Sequence, residues 1–501
     1  MRELRTYQAE AIHAVRRSLG TSHKRPVLMI PTGGGKTRIA GEIIRMALAK
    51  GNRCMFVVPF LSLIDQTVES FRSDGITDIG VIQGNHWMTN PSAKVQVCSI
   101  QTLARRDLPV EVGLVIIDEA HSGWRFLHEW MKSWSSVPFI GLTATPWARG
   151  MAKHWDDLII ASDTATMIDQ GYLSQYKTYA PGHPDLSGVK IVAGDYHEGQ
   201  LGEAMDKTPL IADIVRTWRK LADGQPTLLF AVNRAHASHC QQEFVAAGIP
   251  AGYIDANTEP EERSIIAGRF ASGEIKVVCN VGCLTTGIDW DVRCIVLARP
   301  TRSEILFVQM IGRGLRTAPG KDHCIIIDHS DTHQRLGFVT DIHHDELDDG
   351  KKKTADKKKP DQPLPKECPK CHFLRAPKIS ICPACGFVPE RVSNVEHIDG
   401  ELQEITPRKK PTMLDKQTWY SMFLHYGKEK GWKDGAVAHM YREKFGVWPK
   451  GLDRSETPPN GEVYNWIKAR NIRRAKGREK RVQETSNGLE KLAAMFNKVK
   501  A

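Results

Sequence analysis

The chain has 501 residues, 41% of them hydrophobic, which suits three or four domains with sizeable buried cores. No apolar run reaches the roughly 18–20 residues that cross a bilayer, and the first residues, MRELRTYQAE, carry charge early and lack an apolar export core, so a cytoplasmic protein without membrane partners is expected. The net charge of +11 is uneven: residues 351–501 hold 33 Lys and Arg against 18 Asp and Glu, and the first 350 hold 36 against 40, a slightly acidic body with a basic appendage suited to polyanion contact or to solubility.

Residues 1–150 alternate short apolar runs with helical patterns. VLMI (27–30), CMFVVP (54–59), VQVCS (95–99), LVIID (114–118) and FIGLTA (139–144) read as buried strands. Buried strands alternating with amphipathic stretches predict a parallel sheet covered on both faces. PTGGGKT at 31–37 follows the first of these strands and opens a helical stretch. Glycines there free backbone N–H groups to wrap phosphates, and a helix N-terminus adds positive potential. Thr32, Gly33, Gly34 and Gly35 form the loop; Lys36 suits the β/γ phosphates and Thr37 suits Mg²⁺. Ile30 stands where the strict phosphate-loop pattern has its first glycine. DEAH at 118–121 ends the LVII strand. Asp118 there can hold Mg²⁺ through water, and Glu119 can polarise an attacking water as general base.

A second set of strands follows after residue 205: TLLFAV (227–232), AGYI (251–254), KVVCNV (276–281), CIVLA (294–298) and CIIID (324–328). QMIGRGLR at 309–316 places Arg313 and Arg316 on one helical face, where both can stabilise charge on a transferring phosphoryl group.

Together these pieces resemble the ordered motif set of superfamily 2 helicases, over roughly residues 1–340. The resemblance implies two RecA-like domains sharing one ATP. LRTYQAEAI (4–12) resembles the adenine-reading motif, with Gln8 at the adenine edge and Arg5 nearby. VVPFLSLIDQT (57–67) and SIQTLARR (99–106) resemble strand-contacting motifs. TATP (143–146) resembles the motif that couples hydrolysis to domain movement, through Thr143 and Thr145 together with His121. VGCLTTGID (281–289) resembles a cleft motif with Gly287 and Asp289. Gln309, Arg313 and Arg316 complete the set. The branch resembled is that of excision-repair helicases and restriction-type motor subunits, many of them stand-alone bacterial or bacteriophage proteins. Thr286 departs from it, since relatives often carry an acid there.

Of eleven cysteines, Cys54, Cys98, Cys240, Cys279, Cys283, Cys294 and Cys324 lie scattered in apolar stretches and read as buried thiols. Cys368, Cys371, Cys382 and Cys385 form two C-P-x-C turns, which suit tetrahedral Zn²⁺ in a closed structural ribbon. Lys366, Lys370, Arg375 and Lys378 around it leave DNA contact and a pure folding staple both open.

The aromatics of 418–449 fit amphipathic helix packing better than base stacking, and the run KARNIRRAKGREKR (468–481) suits phosphate contact. Glu274 and Lys276 make an E-x-K found in some nucleases, here within ordinary strand sequence. His329, Asp331, His333, His343 and His344 lack regular ligand spacing, and Trp124, Trp130 and Trp134 read as packing residues.

The expected architecture is α/β, with two tandem RecA-like parallel-sheet domains, a small zinc ribbon and a mainly helical, basic C-terminal region. The expected segments are 1–150, a connection at 151–205, 206–344, a charged linker at 345–366, the ribbon at 367–388, a second linker at 389–412 and a helical region at 413–501. The expected activity is an ATP- and Mg²⁺-dependent helicase or translocase acting on DNA in preference to RNA. Replication, repair or nuclease proteins are its expected partners, in a bacterial or phage-infected cytoplasm. A duplex-translocating motor of a restriction complex and an RNA helicase are the alternatives.

Overall fold

The computed structural model describes residues 3–106, 111–285, 287–351, 363–389 and 411–472. The chain divides into two compact units, Met1–Arg391 and Val392–Ala501.

In the first unit, β1 (Pro26–Met29), β2 (Cys54–Val58), β3 (Ile79–Ile82), β4 (Val95–Ser99), β5 (Leu114–Asp118), β6 (Phe139–Thr143) and β7 (Asp157–Ile160) form one sheet. Its order is β3-β4-β2-β5-β6-β1-β7, and every pair is parallel. Alternate residues serve opposite faces. Phe56, Ile116 and Ile140 pack with Ile39, Ile43 and Phe71. Met55, Val115, Ile117 and Phe139 pack on the other side with Leu127, Trp130 and Trp155. Burial from both sides is why these strands read as unbroken apolar runs.

A second parallel sheet contains β8 (Gln175–Tyr179), followed in sequence by a small hairpin of β9 (Ile191–Val192) and β10 (Asp195–Tyr196) that stands outside it. The other members are β11 (Thr227–Phe230), β12 (Ala251–Ile254), β13 (Val277–Asn280), β14 (Cys294–Leu297) and β15 (His323–Asp328), in the order β12-β13-β11-β14-β15-β8. Both parallel sheets of the expected fold are present. The expected connection, 151–205, also supplies β7 to the first sheet and β8 to the second.

The ribbon pairs β16 (Lys366–Glu367) with β17 (Leu374–Arg375). It sits on the free edge of β8, where the Ala180 N–H donates to the His372 carbonyl at 2.9 Å and Tyr179 bridges to Phe373. An exposed strand edge is a template for unwanted pairing, and this contact occupies the C-terminal end of that edge.

In the second unit, the helices Met413–Glu429 and Asp434–Phe445 and a helical stretch at 461–472 enclose Tyr420, Phe423, Met440, Tyr441, Val463 and Ile467. Most of the aromatics are thus packing residues. Trp448 remains 40% exposed over the Arg442 guanidinium. Thr286, the linker residues 352–362 and 390–410, and 473–501 with most of the basic run lie outside the described residues. No helix among the described residues is long and apolar enough to cross a membrane.

Candidate active site between the two sheets

β1 delivers the chain into the glycine loop. The Ile30 N–H still pairs with the Thr143 carbonyl at 2.9 Å, and the turn closes through Gly34 N–H to the Pro31 carbonyl at 2.9 Å. Gly33 and Gly35 have φ of +85° and +82°, which a side chain would oppose. Gly34 is needed for another reason: a Cβ there would lie 2.5 Å from the Ile30 side chain. Lys36 then begins the helix Lys36–Leu48, so its backbone sits at the positive end of the helix dipole.

β5 carries Asp118 to its C-terminal end. Glu119 follows in a left-handed backbone, φ 49° and ψ 51°, a strained state for a non-glycine residue that the surrounding fold must hold. That turn aims its buried carboxylate at Lys36. The Lys36 ammonium donates to Glu119 Oε1 at 2.5 Å and lies 3.9 Å from Asp118 Oδ1. Burial pushes the Asp118 carboxyl up to about 6, against the pull of Lys36 and with the help of the Glu119 charge. Burial would raise Glu119 too, but Lys36 and His121 outweigh it and hold that carboxyl below its usual range. Glu119 is therefore an ionised, buried base, and its Oε2 has no hydrogen-bond partner.

The opposite wall comes from the helix Glu304–Gly314, whose N-terminus Ser303 caps by accepting from the Leu306 N–H. Gly312 sits against the glycine loop; a Cβ there would lie 2.6 Å from Thr32 Cβ. Arg313 is buried and its Nε has no partner, while one terminal nitrogen donates to the Ile288 carbonyl at 3.3 Å. Burial, with Arg316 beside it, pushes the Arg313 guanidinium down to about 9; it stays charged at neutral pH. Arg316 donates to Asp289 Oδ1 at 2.5 Å and also to the Ile288 carbonyl. The resulting cleft of about 690 Å³ is lined by Thr32, Gly33, Gly35, Lys36, Thr37, Asp118, Glu119, Gly287, Asp289, Arg313 and Arg316 among others. Gly34 is not among its lining residues.

A polar relay joins the walls. His121 Nε2 lies 3.1 Å from the Gln309 amide nitrogen, and Nδ1 lies 2.9 Å from Thr143 Oγ1 and 3.4 Å from Glu119 Oε2. Burial lowers the His121 pKa, which favours the neutral ring. If Gln309 donates to Nε2, the proton sits on Nδ1 and faces Thr143 and Glu119. The Thr145 N–H donates to Thr143 Oγ1 at 3.0 Å, which continues the relay into the first sheet.

Gln8 and Arg5 line an adjoining pocket of about 340 Å³ with Gly33, Gly35, Arg38 and Asp74. Gln8 Oε1 accepts from the Arg5 N–H at 3.0 Å, and its amide donates to the Gly34 carbonyl at 3.2 Å. The sequence reading missed two neighbours. The Tyr7 hydroxyl donates to the same Gly34 carbonyl at 2.6 Å, and Tyr172 packs on Tyr7 and carries the Arg5 guanidinium 4.7 Å from its ring centre. Tyr7 stands inside the 4–12 motif and Tyr172 inside DQGYLSQYKTYAP (169–181), a stretch that also resembles the branch, but neither carried a role of its own there.

Comparison with known proteins places the two sheet domains in known families. Residues 1–148 match the family described as type III restriction enzyme, res subunit, and residues 206–318 match the helicase conserved C-terminal domain. A Lactococcus phage 51.5 kDa protein is 31% identical over 76% of this chain and 83% of its own length. The chain belongs to the superfamily 2 helicases. A Saccharomyces cerevisiae protein whose name assigns it as an ATP-dependent helicase is 33% identical over 65% of this chain; the match spans only 51% of that protein. A fragment assigned as the HsdR subunit of a type I restriction enzyme from Vibrio vulnificus shares the fold, with TM-score 0.54 and 23% identity over 69% of each chain.

In this superfamily 2 chain the four ribbon cysteines converge: their Sγ atoms all lie within 4.8 Å of one another, and the Cys368–Cys385 and Cys371–Cys382 pairs are 3.7 Å apart. A tetrahedral Zn²⁺ with bonds of about 2.3 Å places sulfurs about 3.8 Å apart, so the set fits zinc. Substituting Cys382→Ser should release one zinc per chain, read by a colorimetric chelator. Because metal binding contributes on the order of 10 kcal/mol to folding such modules, the variant should also lose the cover on β8 and scatter light on warming. Unchanged zinc content would overturn the assignment.

The other signals are absorbed elsewhere. Glu274 pairs with Arg269 at the surface. The histidines disperse: His333 pairs with Asp328, His329 with Thr217, Asp331 with His183 and His344 with Glu304. Trp130 is buried against Phe139 and Trp134, whereas Trp124 is 37% exposed.

Proposed function

We propose that the chain is an ATP-dependent DNA helicase or translocase, with Lys36, Asp118 and Glu119 on one side of its nucleotide cleft and Arg313 and Arg316 on the other. The observation that carries this reading is the buried Lys36–Glu119 contact facing Arg313 across one cleft. Lys36 and the loop N–H groups bind phosphates, and Gln8 and Arg5 serve the base. Asp118 and Thr37 would hold Mg²⁺, a hard cation that takes oxygen ligands and neutralises phosphate charge. A buried carboxyl that burial lifts to about 6, with Lys36 Nζ no nearer than 3.9 Å, suits such an ion. Glu119 accepts the proton of the attacking water, and Arg313 and Arg316 meet charge on the phosphoryl group. His121, Gln309, Thr143 and Thr145 pass the change between the walls. Closure and reopening of the cleft step the two domains along a strand.

The deciding experiment measures ATP turnover with single-stranded DNA, duplex, forked DNA and RNA, with strand displacement on the same substrates. Stimulation by DNA with displacement of forked strands is expected. No stimulation by any nucleic acid would sink the motor reading. The match to restriction-enzyme subunits favours a second reading, a motor that moves on duplex without separating strands; it predicts duplex stimulation with no displacement. Removing 413–501 should weaken DNA binding and flatten its salt dependence, since each phosphate contact contributes about −0.7 to −0.9 to the slope of log K against log salt. An unchanged slope would take the basic tail out of the DNA site.

A further inference from the structure

After the second sheet, the chain does not leave the body directly. Residues 342–351 return to the first domain. The Asp348 carboxylate accepts from the Gly150 N–H at 2.9 Å, its backbone carbonyl accepts from the Ala152 N–H at 3.0 Å, and Leu347 packs into the first domain's core. Just ahead of these anchors stands His344. Its ring stacks on Trp147, centroids 4.4 Å apart and planes 19° apart, and its Nε2 lies 2.6 Å from Glu304 Oε2. Trp147 directly follows the TATP segment of the first domain. Glu304 is the first residue of the helix that carries Gln309 and Arg313.

That helix is 11 residues long, so Glu304 at its head and Arg313 near its end belong to one rod, which Phe307, Met310 and Ile311 seat in the core. With Gly312 against Thr32 there is little room to absorb a shift. The rod touches the first domain at the cleft through Gln309 and His121. At its head it is also tied to the first domain through a third segment, by way of His344 on Trp147.

We infer that His344 is a positioning residue for hydrolysis: clasped between Trp147 and Glu304, it sets the angle at which the Glu304–Gly314 helix presents Arg313 to the cleft. This rests on the assignment of Arg313 above. None of the three residues lines the nucleotide cleft, so the clasp acts on turnover and leaves ATP binding alone.

The test compares His344→Ala, Glu304→Gln and the double variant with wild type in nucleic-acid-stimulated ATP turnover, with thermal melting alongside. Each single variant should lower kcat about tenfold with KM for ATP changed less than about twofold. The double variant should lose no more than the worse single one, because one contact is broken either way. His344→Gln, which keeps a donor towards Glu304 and a flat group over Trp147, should recover most of the rate. Unchanged kcat in His344→Ala, multiplied losses in the double variant, or a parallel fall in kcat, ATP affinity and melting temperature would each overturn the inference. If His344→Ala fails to fold, Glu304→Gln carries the same comparison. A wild type without turnover would remove the motor reading and this inference together, whereas normal wild-type turnover with an unaffected His344→Ala removes the inference alone.

Discussion

Glu119→Gln should bind ATP and fail to hydrolyse it. The substitution keeps the size of the side chain and removes the one ionised base that the strained turn aims into the cleft. General-base catalysis typically supplies 10²–10⁴ in rate, so kcat should fall by about a thousandfold. Binding should hold, because the phosphate contacts of the glycine loop and Lys36 are untouched; losing the anion that now engages Lys36 frees that ammonium for phosphate. Single-turnover hydrolysis and equilibrium binding of a fluorescent nucleotide separate the two quantities. Lys36→Ala should differ by losing both. Turnover within tenfold of wild type in Glu119→Gln would mean that another group takes the proton.

Arg313→Ala should be as damaging to the rate and gentler on the fold. Arginines that reach a transferring phosphoryl group are worth about 10³–10⁵ in kcat, and the lower end is expected here because Arg316 remains. Arg313 sits buried with an unpartnered Nε and one long bond to the Ile288 carbonyl. Removing it therefore deletes few contacts and relieves a desolvated charge, so melting should barely move. Arg313→Lys should not restore the rate, since a point charge lacks the planar fork that two phosphate oxygens require. A large drop in melting temperature with Arg313→Ala would show the residue to be structural.

Much of this site was legible because phosphate chemistry tolerates few alternatives. The loop, the acid pair and the arginine helix each sit where a backbone constraint dictates residue type. The apparent defect at Ile30 resolves in the same terms: its N–H continues the pairing with β6, so the turn starts one residue later and Gly34 takes up the space the isoleucine needs. The apolar central strands were legible from burial on both faces. β3, β7 and β8 were not. They are edge strands, short or partly exposed, and QYKTY has no continuous apolar run. The packing of Tyr172 on Tyr7 and the returning segment at 342–351 were hidden for a different reason. Their partners are far away in the chain: Asp348 lies in a stretch that reads as charged linker and His344 reads as one of several loop histidines, until the fold supplies Gly150 and Trp147.

That returning segment also changes how the two domains are hung. A single connection at 151–205 would act as a ball joint, free to swivel and twist. A second crossing at 342–351 gives two pivots, and two pivots define a line. The domains are then a door on two hinges. If the proposed cycle closes and reopens the cleft, the door would swing about that line and resist turning across it, so every cycle would repeat one arc whose reach sets the size of the step.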